Sequence, residues 1–353
     1  MAVGLPLKTT YADGDVYSAS DVNDTNGTVN LFTSSTLSYQ AGKNAIINGG
    51  QDIAQRGTSF TNVNGYATDR WYVNRNGAVA GCTASQSTDV PTGFQFSLKT
   101  QRVAGNTGTQ SIDMYYGLES KDSYRFRSQT ATLSFYAKVG ANYSGGASGL
   151  TARILSGTAT DAPPYNGSTT VATSSPALTT TWTRFTLSGT FGASITQAFV
   201  QFGWSPTGTA GADDSVFITG VQLELGSTAT TFSRAGGTIQ GELAACQRYY
   251  WRQSGTTNQF VAPICGSAVN STTPFYLLMN PVPMRTKASS IDTATLQAVD
   301  GVGGYALSSI AVSSQSSELV NYVTASSSGL TAFRPIGINS SGASGYIGFS
   351  AEL

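Results

Sequence analysis

The sequence contains no histidine among its 353 residues, and charged residues make up only 11% of it, against roughly 25% in an average soluble domain. Histidine is the commonest general base, proton shuttle and metal ligand, so its absence disfavours nucleophilic catalysis and most metal chemistry. A chain rich in Gly, Ser, Thr and aromatic residues is instead typical of a structural or binding protein. We therefore predict that it is not an enzyme and has no catalytic residue.

The charges that are present give no sign of a nucleic-acid or membrane partner. The 19 Lys and Arg residues balance the 19 Asp and Glu residues and form no basic stripe, which argues against nucleic-acid binding. No run approaches the ~18 apolar residues of a membrane span. Residues 1–10 also lack the basic-then-apolar pattern of a signal peptide, so we expect a soluble protein made in a cytosol, without membrane insertion.

Cysteine is scarce too. Cys82, Cys246 and Cys265 are odd in number, widely spaced and without a C-x-x-C pair, which favours neither a disulfide framework nor a zinc site. We expect three small buried hydrophobic residues, and we predict no metal and no cofactor.

What the sequence does contain from Asn44 onward is a period of two. Phe94, Phe96 and Leu98 alternate with polar residues, and a similar alternation runs from Leu133 to Val139. This pattern is typical of half-buried strands. About eight such strands without a convincing helix between them predict an antiparallel sandwich over residues 44–234.

A glycine-rich break separates this region from the end of the chain. Residues 235–242, which include Gly236 and Gly237, are predicted to be a linker. Further strand patterns follow, the first from Leu243 to Gln253, and they predict a smaller β-sandwich over residues 243–353. The fold class is therefore all-β with two sandwich domains.

The first 43 residues differ from the rest. Ser20 is a plausible N-cap for a helix that runs to Phe32, but Asn and Gly residues within this stretch lower its helix propensity. Such a helix forms only when it packs against something else. We predict an attachment segment over residues 1–43, with a loose terminus as the alternative, and its candidate contact residues are Asp21, Val22, Val29 and Phe32.

Short motifs in a shared order resemble virion proteins of tailed bacteriophages, especially tail-fibre and related minor structural proteins. Each fragment is short, and their common order carries the resemblance. The fragments are Asp21–Thr25, Asn44–Asp52, Gln55–Thr58, Thr68–Trp71, Leu133–Ala137, Thr181–Phe185, Pro206–Gly211, Ile218–Glu224, Cys246–Tyr250, Met284–Arg285 and Ala351–Leu353.

This resemblance implies a homotrimeric tail-fibre or receptor-binding protein of the virion, synthesised in the host cytoplasm. Its N-terminal segment would bind other virion proteins, and its function would be multivalent adhesion to a host surface polysaccharide. One alternative is a structural decoration or fibre of the capsid or baseplate without a dedicated receptor. Another is a polysaccharide depolymerase, although no motif selects the two carboxylates that glycoside hydrolysis needs.

The central region also resembles the jelly roll of carbohydrate-binding modules. In that fold an Asn-Gly-Gly start and a Val-x-Leu-Glu finish lie side by side. Trp204 and Tyr165 are the candidate ligand-binding residues, although most aromatic side chains are expected in the core. Many such modules hold calcium, but here only Asp52 stands near an acidic position, while Thr219 and Gly220 occupy the stretch where the second acid is usual.

Overall fold

The structure is a computed structural model that describes residues 42–353 except 63, 77–80 and 147–148, and of residues 263–265 it describes the main chain alone. The predicted attachment residues Asp21, Val22, Val29 and Phe32 lie outside the described residues.

Two six-stranded antiparallel sheets build the first domain. Its strands are β1 (Ser59–Thr61), β2 (Gly65–Tyr66), β3 (Tyr72–Asn74), β4 (Cys82–Ser87), β5 (Ser97–Arg102), β6 (Ile112–Gly117), β7 (Thr130–Val139), β8 (Thr151–Gly157), β9 (Thr169–Ser174), β10 (Thr183–Thr190), β11 (Gln197–Trp204) and β12 (Asp214–Leu225). The order is β1-β4-β5-β12-β7-β10 in one sheet, here called sheet A, and β2-β3-β6-β11-β8-β9 in the other, sheet B.

The core of this domain lies between the two sheets. Phe135 of sheet A meets Phe202 of sheet B with ring centroids 4.7 Å apart, and Trp71 lies 6.1 Å from Phe202. Phe135, Ala137 and Val139 are all buried, because alternate residues of a strand share one face. The predicted all-β class and jelly-roll sandwich are confirmed.

The opening segment of the domain lies against its last strand, as the resemblance implies. Val221 donates its main-chain N–H to the carbonyl of Gly49 at 2.9 Å, and Ala45 donates to the carbonyl of Leu223 at 2.9 Å. A Cβ on Gly49 would stand 2.0 Å from the carbonyl oxygen of Val221. This close approach explains the glycine after Asn48.

A second all-β domain follows. Its strands are β13 (Tyr250–Gly255), β14 (Phe260–Ala268), β15 (Pro274–Met279), β16 (Ser290–Ala294), β17 (Leu296–Val299), β18 (Gly304–Ala306), β19 (Ser309–Val312), β20 (Val320–Ser326), β21 (Pro335–Ser340) and β22 (Gly345–Ser350). They form a three-stranded sheet, β13-β22-β16, and a seven-stranded sheet, β18-β17-β21-β14-β15-β20-β19. Buried side chains such as Trp251, Met284, Val323 and Phe349 fill the space between them.

Helices are short in the described part of the chain. α1 (Ser120–Ser123) continues into a 3-10 turn (Tyr124–Phe126), and α2 (Ile239–Gln247) precedes the second domain. Within the described ranges no helix has the length and apolar character needed to cross a lipid bilayer.

The α2 helix corrects the sequence interpretation, because its residues cover the end of the predicted linker and the start of the strand predicted from Leu243. Thr238 caps the helix by accepting a hydrogen bond from the N–H of Gly241 at 3.1 Å. Residues 242–245, Glu-Leu-Ala-Ala, have high helix propensity. The strand begins only at Tyr250.

Buried charges join the two domains. The guanidinium of Arg70 is ion-paired with Glu352 and lies 3.5 Å from the ring centre of Tyr249. Arg248 donates to Glu119 across 3.0 Å. These contacts between residues far apart in sequence hold the C-terminal domain against one end of the sandwich.

Candidate ligand-binding site

A cavity of about 390 Å³ opens on the outer face of sheet B, within the size range typical of small-molecule sites. We call it the outer-face pocket. Its walls come from β6, β8 and β11 and from the loops beside them, and its lining residues are Ser111, Asp113, Gly146, Gly149, Thr151, Arg153, Gln201, Gly203, Trp204 and Ser205.

Strand register brings the polar side chains of the pocket together. Gln201 on β11 is opposite Tyr115 on β6 and opposite Arg153 on β8, while Asp113 is opposite Gly203. Residues two apart on a strand share a face. An acid, an amide, a phenol and a guanidinium therefore stand side by side on the outside of the sheet.

These side chains form one hydrogen-bonded network. The amide nitrogen of Gln201 donates to Asp113 Oδ1 at 3.2 Å and to the hydroxyl of Tyr115 at 3.1 Å. Arg153 Nη1 donates to Gln201 Oε1 at 3.1 Å. The network fixes which way the amide of Gln201 points, and it leaves further N–H groups of Arg153 to face the pocket.

Asp113 is the acceptor at the centre of the network. Besides Gln201, it accepts from Ser111 Oγ at 3.0 Å and from the side-chain amide of Asn76. Burial raises the pKa of this carboxyl group above its ordinary value, and the three donors and the nearby charge of Arg153 act in the opposite direction. A 5% exposed carboxylate with three protein donors acts mainly to position its neighbours.

The glycine at position 203 makes room for that carboxylate. A Cβ built on Gly203 would stand 2.2 Å from Asp113 Oδ1, a separation that real side chains do not adopt. The absence of a side chain on β11 at this point therefore allows Asp113 to lie flat against the sheet and keeps the pocket open.

Tyr165 and Trp204, the residues selected from the sequence, have different placements. Tyr165 is 45% exposed and packs on Tyr72, which shares the face of Tyr115, with centroids 5.0 Å apart. Trp204 borders the pocket, but its ring is buried and donates its N–H to Thr100 at 3.0 Å. Because Gly203 faces outward, strand alternation turns Trp204 into the core.

Asp52, the acidic residue considered as a calcium ligand, forms an ion pair with an arginine of the same chain. Arg234 Nη2 lies 2.8 Å from Asp52 Oδ2. The described residues contain no group of three or more Cys, Asp or Glu that could hold a metal ion. Cys82 and Cys246 are free thiols in the core, and burial raises the pKa of Cys82 to about 11.

Sequence patterns did not indicate Arg153 or Gln201 as site residues. In the sequence, Asp113 lies close to Glu119 and Asp122, and salt bridges to Lys121 and Arg125 would explain such a cluster as well as a functional site would. The structure separates this cluster, since Asp113 faces the pocket while Glu119 pairs with Lys121 and Arg248. The sequence pattern that could have indicated the site is the alternation along β6, which places Asp113 and Tyr115, two residues apart, on its outward face.

Comparisons with known proteins give only distant structural likenesses. No family model matches the chain, and no curated protein matches it. A structure described as "CBM4 structure and function" is 17% identical and covers 51% of this chain and 98% of its own, with a TM-score of 0.33. A xylan-binding CBM22-1 domain from Paenibacillus barcinonensis is 14% identical and covers 54% and 99%, with a TM-score of 0.32.

The enzymatically active domain of tailspike protein 4 from bacteriophage CBA120 is also similar over part of its length. It is 16% identical, covers 52% of this chain and 21% of its own, and has a TM-score of 0.35. Likenesses at these scores carry no conclusion about ligand or activity, which have to come from the residues of this chain.

Proposed function

We propose that the protein binds carbohydrate in the outer-face pocket. The observation that carries this proposal is the network of Arg153, Gln201 and Asp113 around an open cavity on the sheet. Sugars present many hydroxyl groups that both donate and accept, so a site with fixed donors and acceptors on a rigid sheet suits them. Tyr72 and Tyr165 add aromatic surface on the same face.

The pocket binds without cleaving. Hydrolysis of a glycosidic bond generally uses two carboxyl groups roughly 5 to 10 Å apart. Asp113 is the one carboxylate among the described residues that line the pocket, and three protein donors already occupy it. The depolymerase alternative predicts new reducing ends when the protein is incubated with host polysaccharide, and we expect none.

Binding of fluorescently labelled polysaccharides to the purified protein tests this function. Gln201→Ala removes the centre of the network, and we expect it to weaken binding about tenfold. Thr186→Ala is the matched control, because Thr186 is exposed on β10 of sheet A. Equal affinity of the wild-type protein and the Gln201 variant for every bound glycan would contradict the assignment.

The biological role we propose is adhesion by a homotrimeric tail-fibre or receptor-binding protein of a phage virion. A shallow polar site gives weak affinity, but linked copies raise avidity by roughly two to four orders of magnitude. The outer face of the seven-stranded sheet supports self-association, because it carries an apolar strip without a charged residue. The strip consists of Phe275, Leu277, Met279, Val320 and Tyr322.

Two measurements test this role. Light scattering on the purified protein should give a trimer, and Met279→Glu, which places a charge on a side chain 77% exposed, should give a monomer. Antibody labelling of virions should mark the tail. The alternative, a spacer on the capsid or baseplate without a receptor, predicts labelled particles but no binding of the purified protein to host cells.

A further inference from the structure

We infer that the outer-face pocket selects an acidic glycan, and that Arg153 binds the carboxylate of a uronic acid residue. This inference rests on the proposed function and specifies its ligand class. Its basis is a guanidinium that faces the cavity and has no carboxylate partner among the described residues.

Like several other arginines, Arg153 forms no ion pair with a carboxylate among the described residues, but it is the one cationic side chain among those that line the pocket. Arg56, Arg70, Arg102, Arg234, Arg248, Arg285 and Arg334 each form an ion pair with a carboxylate. Arg153 is half-buried beside the cavity, and it takes part in none of the ion pairs of the described residues. Its hydrogen bond to the neutral amide of Gln201 uses Nη1, so most of its five N–H donors remain for a ligand.

Asp113 does not fill the role of that missing partner. Its Oδ1 atom accepts from Gln201, and its Oδ2 atom accepts from Ser111 and Asn76. The amide of Gln201 therefore stands between the acid and the guanidinium. Asp113 lowers the positive potential of the pocket, so selectivity depends on the two-pronged geometry that a guanidinium offers to a carboxylate.

The rest of the lining favours a carboxylate on a sugar over a phosphate. A phosphate monoester carries about −1.5 to −2 charges at neutral pH, whereas the pocket offers one cation beside one anion. Ser111, Thr151 and Ser205 supply neutral hydroxyl groups, which suit the hydroxyls of a sugar ring. A singly charged uronate matches both features.

The experiment compares polygalacturonate with the same polymer after its carboxyl groups have been reduced to alcohols. Affinity electrophoresis or calorimetry would measure the wild-type protein, Arg153→Gln and Lys287→Gln. Lys287 is a matched control, because it is exposed in the C-terminal domain and forms none of the described ion pairs. Alginate and hyaluronan with their carboxyl-reduced forms extend the panel.

We expect the acidic polymer to bind at least tenfold more tightly than its reduced form, with this preference lost in Arg153→Gln and kept in Lys287→Gln. Raising the salt concentration should weaken wild-type binding of the acidic polymer alone. Equal binding of both forms, abolished by Gln201→Ala, overturns the uronate inference and leaves carbohydrate binding intact. Failure of every acidic and neutral polymer to bind overturns both.

Discussion

Arg102 Nε lies 2.7 Å from Asp214 Oδ2, and both side chains are completely buried. The remaining N–H groups of Arg102 donate to Ser144 Oγ and to the carbonyls of Asn106, Gly108, Thr207 and Gly208. One guanidinium thus ties together the loops that precede Gly146 and follow Ser205 at the mouth of the outer-face pocket. The ion pair therefore links the stability of the sandwich to the shape of its site.

Arg102→Met tests this link. Removing one partner of a buried pair leaves an uncompensated charge, so we expect the free energy of unfolding to fall by about 3–5 kcal/mol and glycan affinity to fall with it. Chemical denaturation measures the first effect. The neighbouring pair, Lys99 and Asp213 at 3.0 Å, is partly exposed, and Lys99→Met should cost no more than about 1 kcal/mol. Equal losses in the two variants would contradict the assigned role.

Gly203→Ala tests whether the room for Asp113 matters. The new methyl group would displace the Asp113 carboxylate, so we expect weaker glycan binding and a loss of about 1–3 kcal/mol in unfolding free energy. Gly192→Ala is the control, because a Cβ there meets nothing within 4 Å. Unchanged binding in Gly203→Ala would show that the position of Asp113 is not important.

That Tyr165 contacts the ligand remains a prediction, and substitutions of this exposed side chain can test it. Tyr165→Ala should lower glycan affinity about threefold to tenfold, since an aromatic contact contributes about 0.5–1.5 kcal/mol, while Tyr165→Phe should retain most of it. Tyr124 is similarly exposed, at 47% against 45%, so Tyr124→Ala serves as the control. Binding titrations that give the same affinity for all three variants would remove Tyr165 from the site.

Strands with an alternating pattern, such as that from Leu133 to Val139, were predictable from sequence, but about eight were expected and the described part of the first domain has twelve. Strands such as β2 and β9 are very short or mostly polar and carry no such pattern. The helix at Ile239–Gln247 was not predicted, because its buried residues are Glu242 and Cys246 rather than an apolar stripe. Glu242 accepts a hydrogen bond from the main-chain N–H of Asn48. The pocket was not predictable either. Arg153 and Gln201 meet only through the pairing of β8 with β11, and register between distant strands leaves no local pattern in the sequence.

The contact between the domains should make stability depend on pH. Burial raises the pKa of Glu119, but hydrogen bonds from Arg248, Tyr249 and Lys121 outweigh it and lower the value to about 2. The native state therefore binds this proton less tightly than the unfolded chain does. The stabilisation from Glu119 is complete above its unfolded pKa, about 4.3, and disappears as the pH falls towards about 2.

Glu119→Gln isolates this effect. We expect the variant to be less stable than the wild-type protein by about 1.5–3 kcal/mol at pH 7, with the difference shrinking between pH 5 and pH 2. Burial raises the pKa of Asp69 to about 6, so Asp69 adds stability as the pH falls. The difference in unfolding free energy between the wild-type protein and the variant cancels this contribution, because both contain Asp69. Urea unfolding at several pH values measures it, and a difference that stays constant down to pH 2 would show that the Glu119 carboxylate is not stabilised by the interface.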